Sequence, residues 1–242
     1  MEATTAQLVV TCLVDSLAPR VGKAVVAVLE GQGVVVEVPN GQTCCGQPAF
    51  NIGLLDDARS MAGHTLDVLD ATEGPVVVPS GSCTAMIVSH YRHMFRGTDR
   101  EEQAERVASR TRELTQYLVD DLGADVRAGC GGCSVVYHHS CHGLRELGIR
   151  SQPDHLLREV DRRALDDEEA CCGFGGLFSL EMPAVSTAIM NSKLDAVEAS
   201  GAEVLVGGDI SCLLHMEGGL RRRGSKVEVR HIAEMMGDGV DR

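Results

Sequence analysis

The sequence predicts an α/β protein of two duplicated, doubly wound domains with mostly parallel sheets. Three observations carry this. Short apolar runs of strand length alternate with stretches of helix length, a pattern that calls for a parallel sheet. The whole alternation occurs twice within 242 residues, a length that lets two modest domains each bury a core. A cysteine pattern repeats in step with it: Cys12, the vicinal pair Cys44-Cys45 and Cys83 in the first half, then Cys141, Cys171-Cys172 and Cys212 in the second. The spacings are 32 then 38 residues, and 30 then 40.

In the first half, residues 7–14 (QLVVTCLV) read as a buried strand, with Asp15, Ser16 and Pro19 as cap and first-turn signals for a helix to about Glu30. Residues 33–39 (GVVVEVP) form a second strand leading into the TCCGQPAF loop. A helix over roughly 54–71 precedes a third strand, 75–80 (PVVVPS), which delivers Cys83. In sheets of this kind ligands sit outside the carboxyl ends of the strands, where Cys12, Cys44, Cys45 and Cys83 are expected to meet.

A long polar helix over about 100–121 and the glycine-laden stretch LGADVRAGCGGC separate the halves, giving domains at 1–123 and 133–242 with a linker at 124–132. The second half repeats the plan. A strand begins at SVVYHHSCHG (134–143), a helical stretch runs to the acidic turn DDEEACCGFGG, a helix spans about 184–200, and the strand 203–212 carries Cys212. Residues 226–232 (KVEVRHI) add a last strand.

A formal net charge of −13 disfavours nucleic acid, whose phosphates attract basic surfaces. The basic run Arg221 to Arg223 reads as the solvated end of a helix, where cations suit the dipole. The N-terminal stretch has no basic region before its apolar run, so neither a secretory signal nor a membrane span is expected, and the chain reads as cytoplasmic. No GxGxxG fingerprint, GxxxxGK[ST] loop or G-x-S-x-G elbow occurs, which removes support for bound nicotinamide, flavin or nucleotide and for a serine nucleophile of that type.

Thiols this regularly spaced suit a soft metal centre better than a disulfide framework. Iron–sulfur clusters are held by cysteine thiolates, and glycines let backbone amides approach the sulfurs; Gly46, Gly173, Gly175 and Gly176 supply that access. A helix starting just after each vicinal pair would add unpaired amides. Either both cysteines of a pair bind metal in an unusual geometry or only one does. A zinc-stabilised scaffold without redox activity is a further reading.

The segments QTCCGQPAFNIG, VVPSGSCTAMI, YHHSCHGLRELGI, CCGFGGLFSL and NSKLDAVEASGAEVLVGGDISCLLH resemble the cysteine-rich CCG-domain family, in its lactate utilization branch of (Fe-S)-binding oxidoreductase subunits. The catalytic subunit of heterodisulfide reductase and the iron–sulfur subunit of glycolate oxidase are more distant likenesses. The resemblance implies two CCG domains and one or two [4Fe-4S] clusters on the eight cysteines. It also implies electron transfer, with lactate utilization proteins B and C as partners, during oxidation of L-lactate to pyruvate. The heterodisulfide reductase pattern ends each domain in CxxC, whereas here Cys83 is followed by Thr84, Ala85 and Met86, and Cys212 by Leu213, Leu214 and His215. A fifth thiolate is missing from both halves, which favours conventional clusters over a fused form. A thiol/disulfide reductase remains the alternative redox reading.

Cys130 and Cys133, in GCGGC, lie outside the repeat; as a C-x-x-C they could bind a metal or form a redox disulfide, and the preferred reading is two reducible thiols of a mobile interdomain loop. His138, His139 and His142 flank Cys141 as donors to sulfur or as caps and solvated loop residues, and His215 either substitutes for the missing thiolate as a nitrogen ligand or, the reading preferred, is a surface or capping residue.

Overall fold

The computed structural model describes residues 4–237, which form two four-stranded sheets, parallel throughout. The first contains β1 (Thr5–Leu8), β2 (Val35–Glu37), β3 (Val76–Val78) and β4 (Thr111–Glu113) in the order β2-β1-β3-β4. The second contains β5 (Ser134–His138), β6 (Asp161–Arg162), β7 (Val204–Gly207) and β8 (Glu228–His231) in the order β6-β5-β7-β8. The registers repeat as well: Gln7 faces Val76 in one sheet, and the corresponding Val136 faces Leu205 in the other. Both sheets are doubly wound, and in each the chain reverses direction across the sheet between its first and third strands.

After β1 come α1 (Cys12–Leu17) and α2 (Pro19–Gly31). Pro19 at the first turn fits α2, because its missing N–H would have no helical partner there. Val21, Val25, Val28 and Leu29 form the buried stripe of α2. The loop after β2 leads into α3 (Gln47–Asn51) and α4 (Leu55–Asp70), and β3 runs into α5 (Gly81–Ala85). A π-helical stretch, Met86–His90, carries that helix on to α6 (Tyr91–Met94).

The polar segment expected as one helix over 100–121 is broken. It consists of α7 (Glu101–Ser109), β4, α8 (Leu114–Gln116) and a π-helical stretch, Tyr117–Asp121. Thr111, Arg112 and Glu113 have no apolar alternation, yet they pair with Val76, Val77 and Val78, so sheet pairing overrides local preference. Glu113 then caps α8 by accepting the Thr115 N–H at 2.7 Å. The helical stretch expected in the second half is likewise interrupted. It comprises α9 (Cys141–Arg145), α10 (Ser151–Leu156) and the edge strand β6. There follow α11 (Phe178–Glu181), α12 (Pro183–Ala199), α13 (Ile210–Arg223) and α14 (Ile232–Gly237).

One core runs through both halves, joining Leu8, Val25 and Leu118 to Val135, Leu205 and Met235. A second cluster, with Leu66, Val78, Ile87 and Tyr91, fills the other face of the first sheet. Helix α14 packs on α2, where Arg20 pairs with Glu234 at 2.7 Å. The stretch expected as a linker is tied down: Ala128 donates to the Leu156 carbonyl and Gly129 to that of Met235. Among the described residues no helix is long and apolar enough to cross a membrane.

Candidate metal centre

Cys12 and Cys83 follow the two strands that flank the reversal point of the first sheet, and Cys141 and Cys212 do the same in the second. That crevice is where a doubly wound sheet holds its ligand. Cys12 and Cys141 open α1 and α9, and Cys83 and Cys212 sit in the first turns of α5 and α13. Helix starts present unpaired amides and positive dipole ends, which favour thiolate over thiol. Ser140 caps α9 at Gly143 N (3.2 Å), and Asp209 caps α13 at Ser211 N (3.1 Å).

The vicinal pairs complete the sets. Cys12 contacts Cys44, Cys44 contacts Cys45, and Cys45 lies 3.6 Å from Cys83, sulfur to sulfur. The second half has the same chain of contacts through Cys141, Cys171, Cys172 and Cys212. Both members of each pair therefore face the site. Cys44 is drawn to a low pKa, first by the Cys12 thiol and then by that of Cys45. Cys171 is lowered in the same way by Cys141 and Cys172. Cys12 and Cys45 are pushed up as the donors in those contacts, with burial adding to the effect.

Backbone amides meet the sulfurs in both halves, Gly46 bonding Cys44 as Gly173 bonds Cys171, but the segments that follow differ. Gly46 precedes α3 directly, as expected of a helix after the pair. In the second half no helix starts there, and the Gly173 and Phe174 amides donate to Cys171 and Cys172 at 3.3 and 3.5 Å. Gly46 and Gly173 adopt φ of 85° and 86°, left-handed conformations that a side chain rarely tolerates. A Cβ on Gly173 would lie 2.5 Å from the Ser186 carbonyl oxygen, and one on Gly46 would lie 3.0 Å from that of Ala58. Both loops are also tied from behind. Tyr91 donates its hydroxyl to the Cys45 carbonyl at 2.8 Å, and buried Lys193 donates to the carbonyls of Asp167 and Glu168, at 3.0 and 2.9 Å, in the turn before Cys171.

All eight cysteines line one cavity of about 340 Å³, with Gly175, Gly176, Pro48 and Phe174 in its walls and the exposed Leu180 at its edge. The two sets meet across the junction of the halves, where a shared site was not expected. Asp209 holds that junction: its Oδ2 accepts the Ser82 N–H at 2.8 Å and the Ser80 hydroxyl at 3.1 Å, while Oδ1 caps α13. Sequence reasoning missed Asp209, Lys193 and Tyr91, since each acts through a partner distant along the chain.

The remaining candidates fall in different places. Cys130 and Cys133 form a disulfide with Cα atoms 5.5 Å apart and do not line the eight-cysteine cavity. His142 lines that cavity, 3.3 Å from Gln47 Nε2 of the first half, while buried His139 faces Glu168. His215, expected at the surface, is partly buried against the Phe174 ring and 3.4 Å from Ser186 Oγ. His138 is fully buried, and burial and then the Lys193 charge lower its pKa to about 3, so the imidazole is neutral.

A cysteine-rich domain family, CCG, matches residues 6–88 and 135–217, the two stretches that hold the cysteine sets. The fold and site define a protein with two cysteine-rich CCG domains. Over 239 residues the chain is 39% identical to lactate utilization protein A 2 of Bacillus cereus (strain 03BB102), covering 97% of this chain and 98% of that protein. It is 43% identical over 233 residues to lactate utilization protein A of Shouchella clausii (strain KSM-K16), covering 95% and 97%. The chain belongs to the lactate utilization protein A family. Among solved structures it is similar to an aspartate racemase homologue from Pyrococcus horikoshii OT3, with 12% identity, coverage of 99% and 97%, and a TM-score of 0.35.

Proposed function

We propose that this chain is the iron–sulfur electron-transfer subunit of a complex that oxidises L-lactate to pyruvate. One centre would be held by Cys12, Cys44, Cys45 and Cys83, and another by Cys141, Cys171, Cys172 and Cys212. The observation that carries this is the convergence of two thiol sets, each backed by helix starts and glycine amides, on one cavity. Four thiolates are the donor set of a [4Fe-4S] cluster. When bound, such clusters supply reversible one-electron transfer. The chain's own groups aim helix starts and backbone amides at the sulfurs, hold them in place and keep the buried cysteines, Cys45, Cys172 and Cys212, away from water. Two centres facing one cavity suit electrons passing between them, with hydroxy-acid oxidation supplied by partners, for which the family suggests lactate utilization proteins B and C. Leu180 at the cavity edge, with Met182 and Val185 beside it in sequence, exposes apolar surface suited to such a partner.

One observation favours a second reading. The 3.6 Å between Cys45 and Cys83 sulfurs is close to the roughly 3.8 Å expected for two thiolates on one tetrahedral metal with bonds of about 2.3 Å. A mononuclear zinc in the first set fits that spacing. Iron and acid-labile sulfide counted on anaerobically prepared protein decide between them: iron with sulfide supports electron transfer, and zinc without iron removes it. The function itself is tested with lactate and a soluble dye. The chain alone should be inactive and its mixture with the two partners active, and sustained turnover by the isolated chain would overturn the subunit assignment.

A further inference from the structure

His138 has no counterpart in the first half. Three residues before Cys12 stands Val9, and three residues before Cys141 stands His138, at the end of the matching strand. Val9 is a buried member of the apolar cluster of its own half, to which Cys45 also belongs and against which Cys83 packs. A nitrogen of His138 and the sulfurs of Cys172 and Cys212 all lie within 4.8 Å of one another, and all three residues are buried. Neither ring nitrogen has a hydrogen-bond partner. Leaving an imidazole dry and unpaired costs about 1–3 kcal/mol for an unmade bond, so a buried group of this kind calls for a ligand.

A second difference lies behind the same site. Met61 and Ile189 occupy matching places against Gly46 and Gly173; four residues after Met61 is Thr65, and four residues after Ile189 is Lys193. Both are buried, and Lys193 is close enough to Cys171 and Cys172 for its charge to act on them. The second centre therefore has an imidazole and an ammonium where the first has a valine and a threonine.

We propose that His138 is a nitrogen ligand of the metal centre in the second half, taking the place of one of its four thiolates, and that this centre is the more oxidising of the two. Exchanging thiolate for imidazole character raises cluster potentials, because a neutral donor stabilises the oxidised metal less than an anion does, and a buried cation acts in the same direction. Electrons entering at the first set would then pass to the second. This inference rests on the iron–sulfur reading above.

The test uses the full chain, prepared anaerobically with its clusters and labelled with ¹⁵N-histidine. Pulsed EPR of the reduced wild-type protein should show the strong hyperfine coupling of a directly bound nitrogen. His138→Val, which copies the first half, should abolish it, whereas His215→Gln should keep it. In a potentiometric titration the upper wave of His138→Val should fall by at least a tenfold change in reduction equilibrium, about 59 mV for one electron, with the lower wave in place. Retention of the coupling in His138→Val, or two unmoved waves, would overturn the proposal. Should His138→Val fail to fold, the wild-type spectrum decides, since absence of a bound-nitrogen coupling there is equally fatal. A wild-type chain without iron and sulfide would instead remove the iron–sulfur reading itself, a failure visible before any variant is made.

Discussion

Ser80 and Asp209 occupy the same place in the two repeats, 129 residues apart, and they bond to each other across the junction at 3.1 Å. Ser80 caps α5, which carries Cys83, and Asp209 caps α13, which carries Cys212. Because Asp209 also accepts the Ser82 amide, one carboxylate serves helix starts from both halves. The two cysteine sets are thereby held relative to each other by a buried acid.

Asp209→Ala is expected to destabilise the protein by about 2–4 kcal/mol, combining a lost cap of about 1 kcal/mol with buried donors left unpaired. Asp209→Asn keeps one capping oxygen and should cost about half as much. Urea unfolding of the metal-free chain measures both; equal stability of Asp209→Ala and wild type would contradict the role assigned to the carboxylate.

Glu113 is fully buried, and desolvation raises its pKa to about 7 against the bonds from Thr115 and Gln116 that lower it. Its folded pKa lies above the unfolded value, so the folded state holds the proton more tightly. The resulting stability is complete below about pH 4.5 and is lost as pH rises towards and through 7, by up to about 3 kcal/mol. Glu113→Gln should flatten this part of the pH profile and gain on wild type between pH 5 and 8. Parallel denaturation curves for the two proteins over that range would show the carboxyl to be ionised throughout.

Alanine at Gly173 should be harmful beyond the ordinary left-handed penalty of about 1–2 kcal/mol, because its Cβ would strike the Ser186 carbonyl. Gly46→Ala meets a looser wall and should lose less stability. Thermal melts of the metal-free variants give the order, and the reverse order would mean that the Cys171-Cys172 loop relaxes freely.

Cys45→Ser and Cys172→Ser should each remove metal from one set, so iron per chain falls by about half relative to wild type; this follows from four protein donors per cluster. Replacing Cys130 and Cys133 together by Ser should leave iron unchanged, since their disulfide does not line the eight-cysteine cavity. Loss of iron from the double variant would place that loop among the metal-binding segments.

The sequence by itself determined the duplication, the alternation of strand and helix, and the placing of Cys12, Cys44, Cys45 and Cys83 beyond the carboxyl ends of parallel strands; the strand before Cys171, β6, and the helix that carries Cys212 were not legible in it. Those features are local: runs such as VVVPS and KVEVRHI show their period within a few residues, and each cysteine stands at a set distance from its strand. The third dimension decided what depends on contacts between distant segments. Thr111–Glu113 became a strand because Val76–Val78 lay ready to pair with it, against its own composition. Docking of the halves put both cysteine sets on one cavity and brought Asp209 to Ser82. Burial left His138 without a partner beside Cys172 and Cys212, a relation that no spacing along the chain discloses, because the three residues converge only when β5, β7 and the Cys171-Cys172 loop pack together.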